Sequence, residues 1–378
     1  MLKIMNKTTK TILWLVVVVI IVVGIWYGVS KKTTTPTTKE PIKIGVILPL
    51  SGNAAAYGNQ IKKGVDLAFQ EIEDFQINIL YEDSKCDPKE GISAYNKLVN
   101  IEKVKIIIGD FCSSVVLAIG PLAEQNHILL ITPGAAARQI SQLGDYIFRN
   151  HVTMGQKTGA LAQLASNKFR KVAILYNSAN DAFVDSMNVF KEIYTKQPNN
   201  EIVAIEAFKT GDSDFKSQLS KIKNKNPEAI YIGSLASELS LIVKQIKELN
   251  INAQILTDDG VLDPQFLKNT GNLSKGIIFG TTNFDKSFAP DFWNNYLSLF
   301  KEEPTIFSAQ GYDTLKIIYS IIKNKCLDGN PTCIKDQLYK IKDYPGVSGK
   351  TSFDENGDAL KEIIIKTIKN GQFVPYEE

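Results

Sequence analysis

Short apolar runs that stop at polar or glycine-bearing turns alternate along this chain with segments whose apolar residues recur every three or four positions. Runs at 42–50, 106–109 and 129–132, and the one ending in Tyr81-Glu82-Asp83, have the length and β-branched content of strands. Segments 58–72, 91–101 and 114–125 have helical period, the first with Val65, Leu67, Ala68, Phe69 and Ile72 available for a buried face. From 155 the alternation starts again, with helices expected at 155–166, 181–194, 214–223 and 237–249 and strands at 171–177, 202–208, 229–234 and 254–259. A β-rich run at 276–282, helices at 290–300 and 305–322, and a closing hairpin of 361–366 and 372–374 about Asn370-Gly371 complete the pattern. This order predicts an α/β fold of mainly parallel sheets flanked by helices. In such sheets ligands collect beyond the carboxyl ends of the strands, where helix N-termini offer unpaired N–H groups. Ser113, Ser114 and Gly134 fall at those ends.

Residues 11–30 carry no charge, and a helix of that length spans about 30 Å, the thickness of a bilayer's hydrocarbon core. Lys3, Lys7 and Lys10 precede the segment and Lys31 and Lys32 follow it, which favours a cytoplasmic stretch 1–10 and an exported remainder. The segment is longer than the apolar core of a cleaved signal peptide, and Gly28-Val29-Ser30 is a weak cleavage site. A transmembrane anchor is therefore expected over a cleaved signal. No cysteine follows it to carry a lipid, and 31–40, with its run Thr33-Thr34-Thr35-Pro36-Thr37-Thr38, reads as a polar tether.

Setting residues 1–40 aside removes six lysines and one glutamate from 43 Lys+Arg and 40 Asp+Glu, leaving 37 against 39. The remainder is about neutral, which argues against nucleic acid as a partner. Its length exceeds what one hydrophobic core serves, so two lobes are expected. The four cysteines, Cys86, Cys112, Cys326 and Cys333, allow three disulfide pairings outside the cytoplasm, and neither near pair has the tight spacing of a zinc site. Gly349-Lys350-Thr351 lacks the first glycine of a phosphate loop, and the Asp354–Asp358 stretch lacks the sixth-place glycine of a calcium loop. His127 and His151 are the only histidines, and no Gly-x-Ser-x-Gly elbow occurs. No cofactor, metal or catalytic residue is expected.

Six stretches in order, Ile44-Gly45-Val46-Ile47-Leu48-Pro49-Leu50-Ser51-Gly52, Ala56-Tyr57-Gly58, Cys86-Asp87-Pro88, Gly109-Asp110-Phe111-Cys112-Ser113-Ser114, Ile131-Thr132-Pro133-Gly134-Ala135-Ala136 and Tyr146-Ile147-Phe148-Arg149, carry a resemblance. The chain from Ile42 onward resembles the type I periplasmic binding proteins, in their leucine/isoleucine/valine-binding branch. The resemblance implies two lobes joined by three crossings, near Thr153, Thr282 and Lys350, and hence lobe 1 from 41–153 and 283–350 and lobe 2 from 154–282 and 351–378. It implies the pairing Cys86 with Cys112, which leaves Cys326 with Cys333. It implies a binding protein, acting as a monomer, that delivers a small solute such as an amino acid to an ABC permease without catalysis.

An amino acid brings a carboxylate and an ammonium, and a dry cleft must pair both. For the carboxylate the chain offers the Ser113 hydroxyl, the helix start at Ser114, and the backbone of Gly134 and Ala136; the plainer reading of both serines is helix capping. For the ammonium the resemblance points to Asp259, although an Asp-Gly step also makes an ordinary turn. Tyr57 matches an aromatic of the family's side-chain pocket, or else is a surface tyrosine that opens a helix. Ala136 replaces a threonine of the branched-chain binders, and Asp181 and Leu235 replace aromatics. Asp181 with Asp259 would favour a polar or cationic amino acid, amide or amine, whereas Asp181 as a helix N-cap would mean nothing for the ligand. Two other functions fit the same fold. One is a ligand sensor or cell-wall regulator, which needs a partner subunit because the cytoplasmic stretch is so short. The other is an extracellular hydrolase that uses the cleft carboxylates.

Overall fold

The structure, a computed structural model, describes residues 6–30, 40–72, 77–284 and 286–377. Helix α1 (Lys7–Ser30) belongs to a unit of its own and is long and apolar enough, over Lys7–Trp26, to cross a membrane. The expected tether lies, except for Glu40, outside the described residues.

The chain from Pro41 onward forms one unit with two principal sheets. The first comes from β1 (Ile42–Leu48), α2 (Ala55–Gln70), β2 (Ile77–Asp83), α3 (Pro88–Asn96), β3 (Ile106–Gly109), α4 (Ser113–Gln125), β4 (Leu129–Thr132) and β5 (Ile147–Arg149). Its order is β2-β1-β3-β4-β5, and every pair is parallel. All four residues of β3 and of β4 are buried. Helices cover both faces of a parallel sheet, which is why these strands read as unbroken apolar runs.

The second sheet comes from α5 (Met154–Lys168), β6 (Lys171–Asn177), α6 (Asp181–Tyr194), β7 (Glu201–Phe208), α7 (Lys216–Lys223), β8 (Ala229–Gly233), α8 (Ala236–Glu248), β9 (Gln254–Thr257), α9 (Pro264–Thr270) and β10 (Ile278–Thr282). The chain then returns to the first lobe through α10 (Pro290–Phe300), α11 (Ile306–Asn324) and α12 (Pro331–Leu338). A small antiparallel sheet of β11 (Tyr344–Gly346), β12 (Gly349–Phe353) and β13 (Ala359–Leu360) follows, then β14 (Ile363–Lys369) and β15 (Gln372–Pro375). β14 pairs antiparallel with β10 and β15 antiparallel with β14, giving the order β15-β14-β10-β9-β8-β6-β7. Residues 351–360, expected in lobe 2, pack instead against the end of the first sheet. Phe353 meets Phe148 edge to face, and Asp358 bonds to Arg149, so the last change of sheet falls after Leu360.

Helix starts follow their capping chemistry. Asp87 accepts from the N–H groups of Lys89 and Glu90, and Thr153 with Gln156 and Thr305 with Ser308 form reciprocal caps. Helix α2 begins at Ala55, earlier than its periodicity suggested. Gly58 does not break it, because that glycine lets the helix lie on the Pro49 carbonyl, 2.1 Å from where a Cβ would sit.

The first lobe is tied together by α2 crossing α11. A Cβ on Gly64 would lie 1.8 Å from the Ser308 carbonyl oxygen, and one on Gly311 would lie 2.4 Å from that of Ile61. Both obstacles are backbone, which cannot swing aside. Gly64→Ala is expected to cost about 1–3 kcal/mol or more, read as a lower denaturant midpoint at unchanged slope; an unchanged midpoint would refute the close crossing.

Both disulfides are present, Cys86–Cys112 and Cys326–Cys333, with Cα separations of 5.5 and 5.9 Å. The first joins the turn after β2 to the residue that precedes α4.

Candidate functional site

The carboxyl ends of the two sheets face each other, and the lobes meet there over a cavity of about 40 Å³. From the first lobe its wall includes Tyr57, Phe111, Ser113, Gly134, Ala136 and Phe307; from the second, Asn180, Phe183, Ser234, Leu235 and Asp259. His151 and Lys157, on the crossing and the first turn of α5, complete one end. Six of the eight residues singled out in the sequence thus line one space. Ser114 and Asp181 are not among its lining residues.

Each of the six has an assignable structural role. Tyr57 stacks on Phe111 with ring centres 4.6 Å apart, stands edge-on to Phe307, and its hydroxyl accepts from the Ala236 N–H of the other lobe at 2.9 Å. Burial, then the Asp263 charge, pushes its pKa well up, so it remains a neutral phenol. Ser113 is the first residue of α4, and its hydroxyl oxygen accepts from the N–H groups of Ala136 and Ala137, each at 3.2 Å. The N–H groups of Gly134 and Ala135 donate to the Thr132 hydroxyl. The backbone donors expected to meet a carboxylate at Gly134 and Ala136 are therefore already engaged. What this corner retains is the Ser113 hydroxyl proton and the open first turn of α4. Leu235 immediately precedes α8 and adds an apolar wall.

At the far end Asp259 follows β9. Its Oδ1 accepts from the Lys157 ammonium at 2.8 Å, and its Oδ2 lies 3.9 Å from His151 Nε2. Lys157 is only 1 % exposed, which makes this a buried ion pair. Asp258 points elsewhere, accepting from the Tyr231 hydroxyl at 2.6 Å and the Thr158 hydroxyl at 2.9 Å, and burial raises its pKa. Burial, then the Lys157 charge, lowers the His151 pKa to about 3, so its imidazole is neutral at ordinary pH. The Ser234 hydroxyl, 1 % exposed on the cavity wall, has no hydrogen-bond partner among the described residues.

The expected pair of opposed carboxylates is not formed. Asn180, not Asp181, caps α6 by accepting from the Ala182 N–H, and this places Asp181 outside the lining. With Asp259 bound to Lys157, the basis for a cationic ligand is lost. Sequence reading missed Lys157, His151, Ser234, Phe111, Phe183 and Phe307. A lysine in a helical segment reads as solvated, and Phe307 arrives from a segment that returns after the whole second lobe.

Between the lobes, Asp185 of α6 accepts from the Arg138 backbone N–H at 3.0 Å and from its Nε at 2.6 Å. Asp185 is nearly buried, whereas the Arg138 side chain is about half exposed. Together with the Tyr57–Ala236 bond, this clamp holds the two lobes in contact.

The comparisons agree with this architecture. A family model described as "Periplasmic binding protein" matches residues 41–372. The chain is 25% identical over 352 residues to the leucine-, isoleucine-, valine-, threonine- and alanine-binding protein of Pseudomonas aeruginosa, covering 89% of this chain and 90% of that one. Among solved structures, the leucine binding protein of Thermotoga maritima is 27% identical with a TM-score of 0.82, over 89% of this chain and 98% of that one. The branched-chain amino acid transporter substrate binding protein of Streptococcus pneumoniae, solved with isoleucine, is 30% identical with a TM-score of 0.80, over 88% and 98%. On the span and placement of the family match, this chain belongs to the periplasmic binding proteins, built on their two-lobed α/β fold.

Proposed function

We propose that this protein is the extracytoplasmic solute-binding component of an ABC transporter, held at the membrane by α1 and presenting its closed form to a permease. The observation that carries the reading is one cavity lined from both lobes, with two bonds holding the lobes together beside it, Tyr57 to Ala236 and Asp185 to Arg138. A solute enters while the lobes are apart, and closure then encloses it between the start of α4 and the Lys157–Asp259 pair. Binding, not turnover, is what such a site does; its relatives are named for the amino acids they bind. The apolar stretch of α1 supports anchorage by its length and composition.

Thermal unfolding of the full chain in detergent, against amino acids, oxo acids, amides, polyamines, nucleosides and sugars, tests the reading. A solute at a hundred times its Kd adds about 2.7 kcal/mol to the unfolding free energy, a visible rise in Tm. Asp185→Ala removes the clamp and is expected to weaken that solute's affinity about tenfold or more, the range of charge-assisted hydrogen bonds. No shift across the whole panel would sink the proposal.

A further inference from the structure

The charges that face the cavity constrain the solute further, on the footing that the cavity is the solute site. Its lining holds one cation, Lys157, and one anion, Asp259, and the two are bonded to each other. Asp258 lies behind the wall with both oxygens occupied, and Asp185 is taken by Arg138. The fixed charges thus sum to about zero. What remains is partial charge, and it has one sign: the N-terminal ends of α4, α6 and α8 converge here, bringing Ser113, Asn180 with Ala182, and Leu235 onto the wall. Helix N-termini favour anions and acceptors. The unpartnered Ser234 hydroxyl and the Ser113 hydroxyl proton point to the same chemistry.

An ammonium entering such a site would have to share Asp259, 8 % exposed, with the Lys157 ammonium, 1 % exposed, where little water can screen them. Two like charges on one carboxylate repel, and low dielectric strengthens the repulsion. We infer that the solute carries a carboxylate and no ammonium, a small oxo, hydroxy or simple carboxylic acid, with Lys157 as the residue that excludes amino acids. Its carboxylate meets Ser113 and the start of α4, and the oxo or hydroxyl oxygen of a solute that has one faces Lys157 and Ser234. A lysine here supplies from the protein the cation that an amino acid would otherwise bring.

Calorimetric titration of the full chain in detergent with matched pairs decides the matter: leucine against 4-methyl-2-oxopentanoate, phenylalanine against phenylpyruvate, alanine against pyruvate. The oxo acid of at least one pair is expected to bind at least tenfold more tightly than its amino acid. Lys157→Met, which frees Asp259, is expected to reverse that order, and Lys157→Arg to preserve it; should the methionine variant not fold, the ranking by the unaltered chain stands as the test. Tighter binding of the amino acids by the unaltered chain would overturn the inference and leave the solute-binding reading intact. Binding of neither member of any pair, by a chain whose unfolding is cooperative, would overturn the inference alone; the solute-binding reading falls only if the whole thermal panel also gives no shift.

Discussion

Replacing Arg149 with leucine is expected to lower the unfolding free energy by about 3–5 kcal/mol, the range for breaking a buried ion pair from one side. The Arg149 side chain is fully buried at the end of β5. Its Nε and Nη2 donate to Asp358 at 2.8 and 2.7 Å, its Nη1 to the Ala137 carbonyl at 2.8 Å, and its Nη2 also to the Ser141 hydroxyl at 2.8 Å. Its backbone N–H donates to Gly357. One side chain therefore ties the loop after β4 and the turn before β13 to the last strand of the first sheet. Leucine would leave Asp358, 6 % exposed, with the Ser141 hydroxyl as its remaining side-chain donor. The double variant Arg149→Leu with Asp358→Leu removes both charges and is expected to recover part of the loss. Denaturant midpoints measure both, and a single variant within 1 kcal/mol of the parent would show that the pair holds little.

Acidification should reveal a second large effect, centred on His151. Burial first, then the Lys157 charge, lowers its pKa from 6.5 to about 3 in the folded protein. Between those values the unfolded chain binds the proton and the folded chain does not. Stability from this residue is thus complete above about pH 6.5 and is lost as pH falls toward 3, at about 1.4 kcal/mol per pH unit and on the order of 5 kcal/mol in all. Asp110 works the other way, because burial raises its pKa to about 7. There the folded chain holds the proton that the unfolded chain has released, so stability is lost as pH rises from about 4 to 7 and stays lost above. The two slopes oppose each other over a shared window, and the parent's profile understates both. His151→Gln measured against the parent isolates the first slope and Asp110→Asn the second, with opposite signs. Parallel profiles for parent and His151→Gln between pH 3.5 and 6.5 would refute the neutral, buried imidazole.

Much of this architecture was legible in the residue pattern. Strands covered on both faces leave unbroken apolar runs, as in β3 and β4, and α6 and α10 fall where the periodicity put them. Tyr57, Ser113, Gly134, Ala136, Leu235 and Asp259 reach the cavity because it forms where strands end and helices begin, a position that turn residues mark in any α/β chain. The charge of the site was not legible. Whether Asp259 is open to a ligand depends on Lys157, more than a hundred residues earlier in the chain, and that pairing exists only once α5 and the end of β9 are side by side. At α6 the outcome turned on one residue. Asn180 took the cap, and Asp181, in the first turn, is not among the cavity's lining residues.

The crossing of α2 and α11 has a consequence for how the protein is made. Gly64 meets the backbone of Ser308, and Gln60 accepts from the Thr305 hydroxyl, a contact that spans 245 residues. During synthesis or export α2 emerges early and then waits for the entire second lobe before its partner exists. The second sheet, by contrast, lacks only β14 and β15 once β10 has appeared. The lobe encoded first is therefore completed late, and its apolar face stays uncovered in the interval, the stage at which a chain of such long-range contacts is most prone to aggregate.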